Sequence, residues 1–200
     1  MSYMKYKIGV SGSAENNCTP GAFAKAREVG RQIAMANAVC VTGDTVGVPH
    51  AAAHGAKAAG GITVGISPAA SLQEHVRKYH LPNDDMDLII YTGFNYSGRN
   101  LLFIRSCDGV IFVCGRVGTL NEFTIAFEDQ KPIGILMGTG GITTEIEEIL
   151  EVSKRGKKNI VFDTDPDLLV EKVLAMVEKE DEFRSLPPHH KAKITKGRQR

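Results

Sequence analysis

The chain has 200 residues, of which 42% are hydrophobic, and 21 of its residues are glycines. This length suits one domain with a sizeable buried core. The formal net charge of +1 favours neither a nucleic-acid partner nor an anionic membrane surface. No apolar run is long enough to span a bilayer, and we expect no signal peptide because the N-terminal residues lead directly into a strand pattern.

Seven short apolar runs recur along the chain, and each ends near a glycine, serine or aspartate. Most are continuously apolar, which is typical of strands buried on both faces of a parallel sheet. The runs cover residues 6–12, 38–44, 61–67, 87–93, 109–115, 132–138 and 159–165. Segments with helical spacing lie between them, at 21–37, 48–60, 95–109, from about Thr119 to 130, 143–156 and 165–180.

This alternation predicts an α/β fold, doubly wound, with a mainly parallel sheet of about seven strands flanked by helices. We expect a single domain over residues 1–182. Residues 183–200 are basic and lack apolar periodicity, which predicts a flexible tail rather than a nucleic-acid arm. In such folds ligands bind at the carboxyl ends of the strands, where several glycines of this chain cluster.

The four cysteines, Cys18, Cys40, Cys107 and Cys114, contain no C-x-x-C pair. Cys40 and Cys114 lie inside apolar runs, where cysteine behaves as a small hydrophobic residue. The pattern predicts free thiols in a reducing cytoplasm, and neither a disulfide scaffold nor a zinc site.

The turn after the fifth strand has the sequence CGRVGTLNE, from Cys114 to Glu122. Gly115 and Gly118 permit unusual backbone conformations, and amides at the start of the following helix would form an anion site. The hydroxyl of Thr119 could add a hydrogen bond. No lysine follows as in a Walker loop, so a single phosphate is the favoured ligand.

Glu122 has two interpretations, which the sequence leaves open. With Thr119 it forms a T-x-x-E capping box, which would make it structural. Facing the crevice instead, it could act as a general base or stabilise a centre that becomes cationic, such as the anomeric carbon of a ribose losing its base.

The segment NYSGRNLLFIRS places Arg99 and Asn100 near the start of the predicted helix that precedes the fifth strand. An arginine there could bind a phosphate with its bidentate fork. From the residues alone, a surface arginine with its stem along the helix is the favoured interpretation.

The first two strand ends offer further candidates. Gly12 and Ser13 follow the first strand, and small residues there let a ligand approach the backbone. Gly43, Asp44 and Gly47 follow the second strand, where an acid could hold ribose hydroxyls or serve as a turn or cap residue. Neither loop has the G-x-G-x-x-G pattern, so a dinucleotide is not favoured, and we expect no cofactor.

His50 and His54 are four residues apart on a predicted helix, a spacing that places both on one face and could bind a metal. No acid lies between them and no third ligand is evident in the sequence. We therefore expect two ordinary helix histidines and no metal.

The pattern G-x-x-G-T-L-x-E at 115–122, together with GRN at 98–100, resembles the "lonely guy" (LOG) or lysine decarboxylase-like family, whose signature is P-G-G-x-G-T-x-x-E. The resemblance covers residues 5 to about 177. It is closest to a subgroup with nucleotide-binding proteins and molybdenum-cofactor carrier proteins. It implies a Rossmann-like fold and a homodimer or higher homo-oligomer.

Carried over by position, the resemblance implies that Arg99 and Glu122 are the catalytic pair of the family's phosphoribohydrolases. Gly115, Gly118 and Thr119 would bind the nucleotide phosphate.

The chain departs from the family pattern at three positions. Cys114 replaces the proline, Arg116 replaces the second glycine, and Asp44 stands where the family often has another glycine. Arg116 would either add charge for a phosphate or narrow the pocket.

Two functions follow from the resemblance. The first is hydrolysis of the N-glycosidic bond of a nucleoside 5′-monophosphate; the alternative is a non-catalytic nucleotide or molybdenum-cofactor (pterin) carrier. The expected partner is a nucleoside monophosphate or a related phosphorylated small molecule, in the cytoplasm, with no membrane and no nucleic acid.

Overall fold

A computed structural model describes residues 5–14 and 18–185. Within them, seven parallel strands form one sheet in the order β4-β3-β2-β1-β5-β6-β7. The strands are β1 Lys7–Gly12, β2 Val39–Thr42, β3 Ile62–Ser67, β4 Leu88–Tyr91, β5 Gly109–Val113, β6 Ile133–Leu136 and β7 Ile160–Asp163. The helices are α1 Ala22–Met35, α2 Val48–Ala58, α3 Leu72–Arg77, α4 Asn95–Ser106, α5 Val117–Glu128, α6 Ile146–Val152 and α7 Pro166–Ser185.

The predicted α/β fold with a doubly wound parallel sheet is confirmed, and all seven predicted runs contain a strand. The sequence analysis missed α3, because six residues are too short for helical periodicity to show. The helix predicted at 143–156 is wrong in its first part, where a 3-10 helix covers Gly141–Thr144 and α6 begins only at Ile146.

Apolar layers cover both faces of the sheet, as its continuously apolar strands predict. On β5, Ile111 and Val113 belong to the layer that includes α1, α2 and α7. The alternate residues Val110 and Phe112 belong to the layer beneath α4, α5 and α6. This alternation fixes which side chains of β5 face each layer.

The strand order reverses between β1 and β5, which are neighbours in the sheet. The helices that follow these strands pack on opposite faces, α1 in one apolar layer and α5 in the other. A crevice therefore opens at the carboxyl ends of β1 and β5, where doubly wound folds bind their ligands.

The prediction that the cysteines form no disulfide is wrong for one pair. Cys18 and Cys114 are disulfide-bonded, whereas Cys40 and Cys107 are buried free thiols. The partners are 96 residues apart in the chain, and only the pairing of β1 with β5 brings the two segments together. Sequence spacing could not show this proximity.

The predicted end of the domain, at residue 182, falls inside the last helix. Helix α7 runs to Ser185 and so covers the first three residues of the predicted tail. The rest of the tail lies outside the described residues. In the described part of the chain, we find no helix whose length and apolarity would allow it to cross a membrane.

Candidate functional site

A cavity of about 330 Å³ opens at the switch point of the sheet. Its volume falls within the range of about 300–1,000 Å³ that is typical of small-molecule sites. The lining comes from the ends of β1 and β2 and from α2, α4 and α5: Val10, Ser11, Gly12, Ser13, Ala14, Gly43, Thr45, Pro49, Tyr96, Arg99, Asn100, Phe103, Arg116, Val117, Gly118, Thr119 and Glu122.

Glu122 lines the cavity from the second turn of α5, with only 6% of its surface exposed. The hydroxyl of Ser11 donates a hydrogen bond to Oε2, and Arg99 Nη1 lies 3.3 Å from Oε1. The side-chain nitrogen of Asn100 donates to Oε1 and to the backbone oxygen of Tyr96, both at 2.9 Å. Because both of these partners can only accept, that orientation of the Asn100 amide satisfies them.

The capping interpretation of Glu122 is therefore wrong. The N-cap position of α5 is occupied by Arg116, and no side chain caps the helix. Thr119 lies within the helix, so it cannot serve as the first residue of a capping box. Glu122 is left to face the crevice, which is the second of the two interpretations.

Arg99 is 5% exposed, and the interpretation of a surface arginine is wrong. Its guanidinium group pairs with Glu122 and lies 5.9 Å from the centre of the Tyr96 ring. A Cβ atom on Gly43 would lie 1.7 Å from Arg99 Nη1. Gly43 therefore makes room for the guanidinium group, and no side chain larger than hydrogen fits there without moving it.

Burial shifts the pKa values of both partners. Desolvation raises the pKa of Glu122, against the attraction of Arg99 and the Ser11 hydrogen bond. Desolvation also lowers the pKa of Arg99, opposed by Glu122, Tyr96 and Asp44. A carboxyl group shifted toward neutrality inside a cavity is suited to exchange a proton with a bound ligand.

The N-terminus of α5 forms one wall of the cavity. The first helical hydrogen bond runs from Leu120 N to the oxygen of Arg116 at 2.9 Å. The N–H groups of Val117, Gly118 and Thr119 precede it, in the positions where helices bind anions. Arg116 is exposed and lines the same wall, so it adds positive charge there.

The two glycines of this turn have different roles. Gly115 has a φ of 103°, and a Cβ on it would meet Thr119 at 2.5 Å, so the turn requires glycine. Gly118 does not have a left-handed φ, and a Cβ on it would meet no atom within 4 Å. The backbone freedom expected of Gly118 is therefore unused, and its missing side chain leaves open space beside the helix amides.

The candidates after β1 lie against the cavity. Gly12 and Ser13 both line it. A Cβ on Gly12 would lie 2.3 Å from a Val48 side-chain carbon and 2.4 Å from the Val113 oxygen, so packing against α2 and β5 excludes a larger residue. Gly47 is not part of the lining. A Cβ on Gly47 would lie 2.3 Å from the Ser13 backbone oxygen, so Gly47 allows the loop after β1 to pack closely against it.

Asp44 lies behind the cavity wall and is not part of the lining. Its side chain is fully buried, 3.6 Å from His75 Nδ1, and no described residue donates a hydrogen bond to either carboxylate oxygen. Burial raises its pKa to about 6, although His75, Arg99 and His50 pull it down. Its position gives no direct support to the expected contact with ribose hydroxyls.

The sequence analysis missed Ser11, which holds Glu122, and Tyr96, which lies against Arg99. Ser11 sits inside the first apolar run, where it places a hydroxyl group between Val10 and Gly12. A polar residue in a strand buried on both faces needs a partner, and this signal could have pointed to the site.

Solved structures with the same fold include two that are relevant to ligand binding. The molybdenum cofactor binding protein of Rippkaea orientalis is 30% identical, with a TM-score of 0.73 over 88% of this chain and 99% of that one. The molybdenum cofactor carrier protein of Chlamydomonas reinhardtii is 26% identical, with a TM-score of 0.71 over 88% and 99% of the two chains.

An uncharacterized protein of Archaeoglobus fulgidus is 36% identical over 130 residues, which are 65% of this chain and 79% of that protein. The DNA processing protein A of Helicobacter pylori is 18% identical, with a TM-score of 0.61 over 86% of this chain and 81% of that one, which shows a shared fold alone.

These comparisons confirm the resemblance to the LOG-like family and to a subgroup similar to molybdenum-cofactor carriers. The model of one family, described as SLOG cluster4, matches residues 5–170 of the sequence. The chain therefore belongs to the SLOG cluster4 family.

Proposed function

We propose that this protein binds a small phosphorylated ligand with a planar ring system, of the pterin or nucleotide type, and acts as a binding or carrier protein. The observation that carries the proposal is the open space at Gly118, beside the helix amides and inside the cavity. A phosphate oxygen can approach these amides because Gly118 has no side chain to occupy the space beside them.

The charge on this wall supports a phosphate. Arg116 lines the cavity next to the helix N-terminus, and both favour an anion. Val117 is 80% exposed, so the rim of the wall is open to solvent. A monophosphate bound there would direct the rest of the ligand toward the Arg99–Glu122 pair.

The hydrogen bonds that Glu122 accepts favour ligand binding over catalytic turnover. A carboxylate has about four acceptor positions, and Ser11, Arg99 and Asn100 already occupy three of them. Glu122 can still accept one hydrogen bond from a ring N–H of a ligand. The similarity to solved proteins that bind or carry the molybdenum cofactor supports the pterin class.

The proposal is tested by calorimetric titration of the full chain with AMP, GMP and a pterin phosphate, each compared with its dephosphorylated form. We expect removal of the phosphate to weaken binding at least about tenfold, or about 1.4 kcal/mol. Equal affinity for both forms of every ligand, or no binding at all, would contradict the proposal.

Gly118→Ala and Gly156→Ala form a matched pair for this experiment. A Cβ at either position meets no atom within 4 Å, but only Gly118 lines the cavity. We expect Gly118→Ala to weaken phosphate binding about tenfold and Gly156→Ala to leave it unchanged. Equal affinities in the two variants would place the phosphate elsewhere.

A second candidate is hydrolysis of the N-glycosidic bond of a nucleoside monophosphate. The observation that favours it is the raised pKa of Glu122 inside the cavity, which suits a group that activates water or stabilises an oxocarbenium-like centre. The test is chromatography for free base after incubation with AMP, GMP, CMP and UMP. Loss of base release in Glu122→Gln, with binding retained, is expected for this activity.

We further propose that the chain forms a homo-oligomer. Exposed apolar side chains on the edge strand β4 and on α4, such as Leu88, Ile90, Leu101 and Leu102, support an interface there. Light scattering of the purified chain measures the assembly. A monomeric mass at every concentration would contradict it.

A further inference from the structure

Four side chains of the types that can bind a metal meet on the side of α2. His50 and His54 are on one face of the helix, as their spacing predicts, and Asp84 and Asp85 lie between α3 and β4. His50 Nε2 is 3.5 Å from Asp84 Oδ1 and 3.6 Å from Asp85 Oδ2. One donor atom from each of these three residues lies within 4.8 Å of the other two.

The imidazole of His50 faces these two carboxylates without bonding to them. Its Nε2 atom is buried, and it has no hydrogen-bond partner among the described residues. A buried nitrogen of this kind is costly unless something satisfies it. The orphaned nitrogen is therefore an observation, independent of the acidic residues, that points to a missing ligand.

The two distances from His50 Nε2 to the carboxylates are close to those between neighbouring donor atoms in a metal site. In a tetrahedral site with bonds of about 2.0–2.1 Å, neighbouring donor atoms lie about 3.3–3.4 Å apart. The observed 3.5 and 3.6 Å are close to this value and longer than a good hydrogen bond. The donor atoms of Asp84 and Asp85 lie within 4.8 Å of each other, so a cation bound by all three residues would draw the two carboxylates together.

Asp85 is held in place by a second histidine. His54 Nδ1 lies 2.8 Å from Asp85 Oδ2, a hydrogen bond that orients the carboxylate. Such contacts behind a ligand are typical of metal sites and strengthen them. Two carboxylates and one neutral imidazole carry two negative charges, which a divalent cation would neutralise.

We propose that His50, Asp84 and Asp85 bind a divalent transition metal of the zinc class, with His54 as the residue that positions Asp85. The exposed side of the cluster, at Asp84, is the route of entry and leaves a fourth position for water. The metal would join the first turn of α2 to the segment before β4. The neighbouring Pro49 lines the cavity, but the metal site itself lies outside the lining.

The experiment uses the full chain, stripped with EDTA and dialysed into metal-free buffer. Zinc is titrated in competition with a chromophoric chelator, and cobalt is added separately to record its visible spectrum. We expect one zinc ion per chain, a higher thermal midpoint with zinc, and the absorption bands of tetrahedral cobalt. No stoichiometric binding, or an octahedral cobalt spectrum, would overturn the proposal.

Variants locate the ion. We expect His50→Ala and Asp85→Asn each to weaken zinc binding more than about 100-fold, and His54→Gln to weaken it about 10- to 100-fold. His80→Asn is the matched control, because His80 has a φ of 53° that asparagine tolerates; its affinity should equal that of the wild type.

A second control removes the adjacent histidines His189 and His190, which lie outside the described residues. Their replacement by alanine should leave zinc binding unchanged. Wild-type affinity in both His50→Ala and Asp85→Asn, or loss of binding with the tail variant, would overturn the assignment. Far-UV circular dichroism of each stripped variant verifies folding, and the cobalt spectrum of the wild type tests the site without any substitution.

Discussion

Arg99 interacts with two buried carboxylates that are held in opposite ways. Glu122 lines the cavity and receives hydrogen bonds from Ser11, Arg99 and Asn100. Asp44 lies behind the wall, and no described residue donates a hydrogen bond to its carboxylate oxygens. Both have a raised pKa, and burial is the first cause in each case.

The difference shows which carboxylate the fold prepares for a ligand. The donors around Glu122 fix the position of its carboxylate in the cavity wall. Asp44 interacts with Arg99 electrostatically when ionised, but no described residue donates a hydrogen bond to its carboxylate, and burial favours its protonated form. We infer that Glu122 contacts the ligand, whereas Asp44 adjusts the electrostatics of Arg99 from behind.

The largest effect is expected from Arg99→Met, because it leaves Glu122 buried without a cation. Removing one partner of a buried ion pair costs about 3–5 kcal/mol. The pKa of Glu122 should rise further, since Arg99 is the main influence that lowers it. Guanidinium denaturation measures the free energy of unfolding.

The double variant Arg99→Met/Glu122→Gln tests the reason for that loss. It removes the charge from both partners while glutamine keeps an acceptor for Ser11. We expect it to recover most of the unfolding free energy but not ligand binding. A double variant no more stable than Arg99→Met would show that the loss arises from packing and not from an uncompensated charge.

Asp44→Asn should change how stability depends on pH. The native state holds the Asp44 proton more tightly than the unfolded state, so this carboxyl group stabilises the fold in acid. That contribution is complete below about pH 4 and is lost as the pH rises through about 6. A rise of the pKa from 3.8 to about 6 corresponds to about 3 kcal/mol.

The measurement is the difference in unfolding free energy between wild type and Asp44→Asn from about pH 4 to 7.5, in EDTA. Asparagine tolerates the φ of 53° at this position. The wild type should lose about 2 kcal/mol relative to the variant over this range, because part of the contribution is already lost at pH 4. A difference that is constant across this range would mean that Asp44 does not titrate there.

Gly43→Ala is expected to cost about 2 kcal/mol, within the range for overpacking. The new Cβ would lie 1.7 Å from Arg99 Nη1, so the guanidinium group must move away from Glu122. The control is Gly43→Ala in the Arg99→Met background, where the clash no longer exists. In the Arg99→Met background we expect Gly43→Ala to lower the unfolding free energy by almost nothing. Equal losses in both backgrounds would show that Gly43 does not help to position Arg99.

The sequence carried enough information for the fold. Continuous apolar runs predicted a parallel sheet, and its switch point predicted where the cavity lies. The turn at Gly115 and the residues Arg99 and Glu122 were candidates from the residues themselves, and the resemblance to a family motif implied that Arg99 and Glu122 act as a pair. The sequence did not predict that Arg99 and Glu122 are buried, because their burial depends on how α4 and α5 pack against the sheet.

What the sequence could not provide are contacts between distant segments. The Cys18–Cys114 disulfide and the hydrogen bond of Ser11 to Glu122 join residues that lie 96 and 111 positions apart. Asp84 and Asp85 complete the histidine pair of α2 from beyond β3 and α3. In each case the order of the strands, rather than any local pattern, creates the proximity.

The smallest effect is expected from Ser11→Ala, which removes one of the donors to Glu122. A buried hydrogen bond to a charged group contributes about 1.5 kcal/mol, and the exposed Ser106→Ala should change stability by less than about 0.5 kcal/mol. Because the Ser11 hydroxyl lowers the pKa of Glu122, its loss disfavours the carboxylate. The cost should therefore grow as the pH rises and Glu122 ionises. A loss of unfolding free energy that is the same in acid and at neutral pH would show that Ser11 does not favour the charged form of Glu122. The difference between Glu122 and Asp44 would then depend on Arg99 and Asn100 alone.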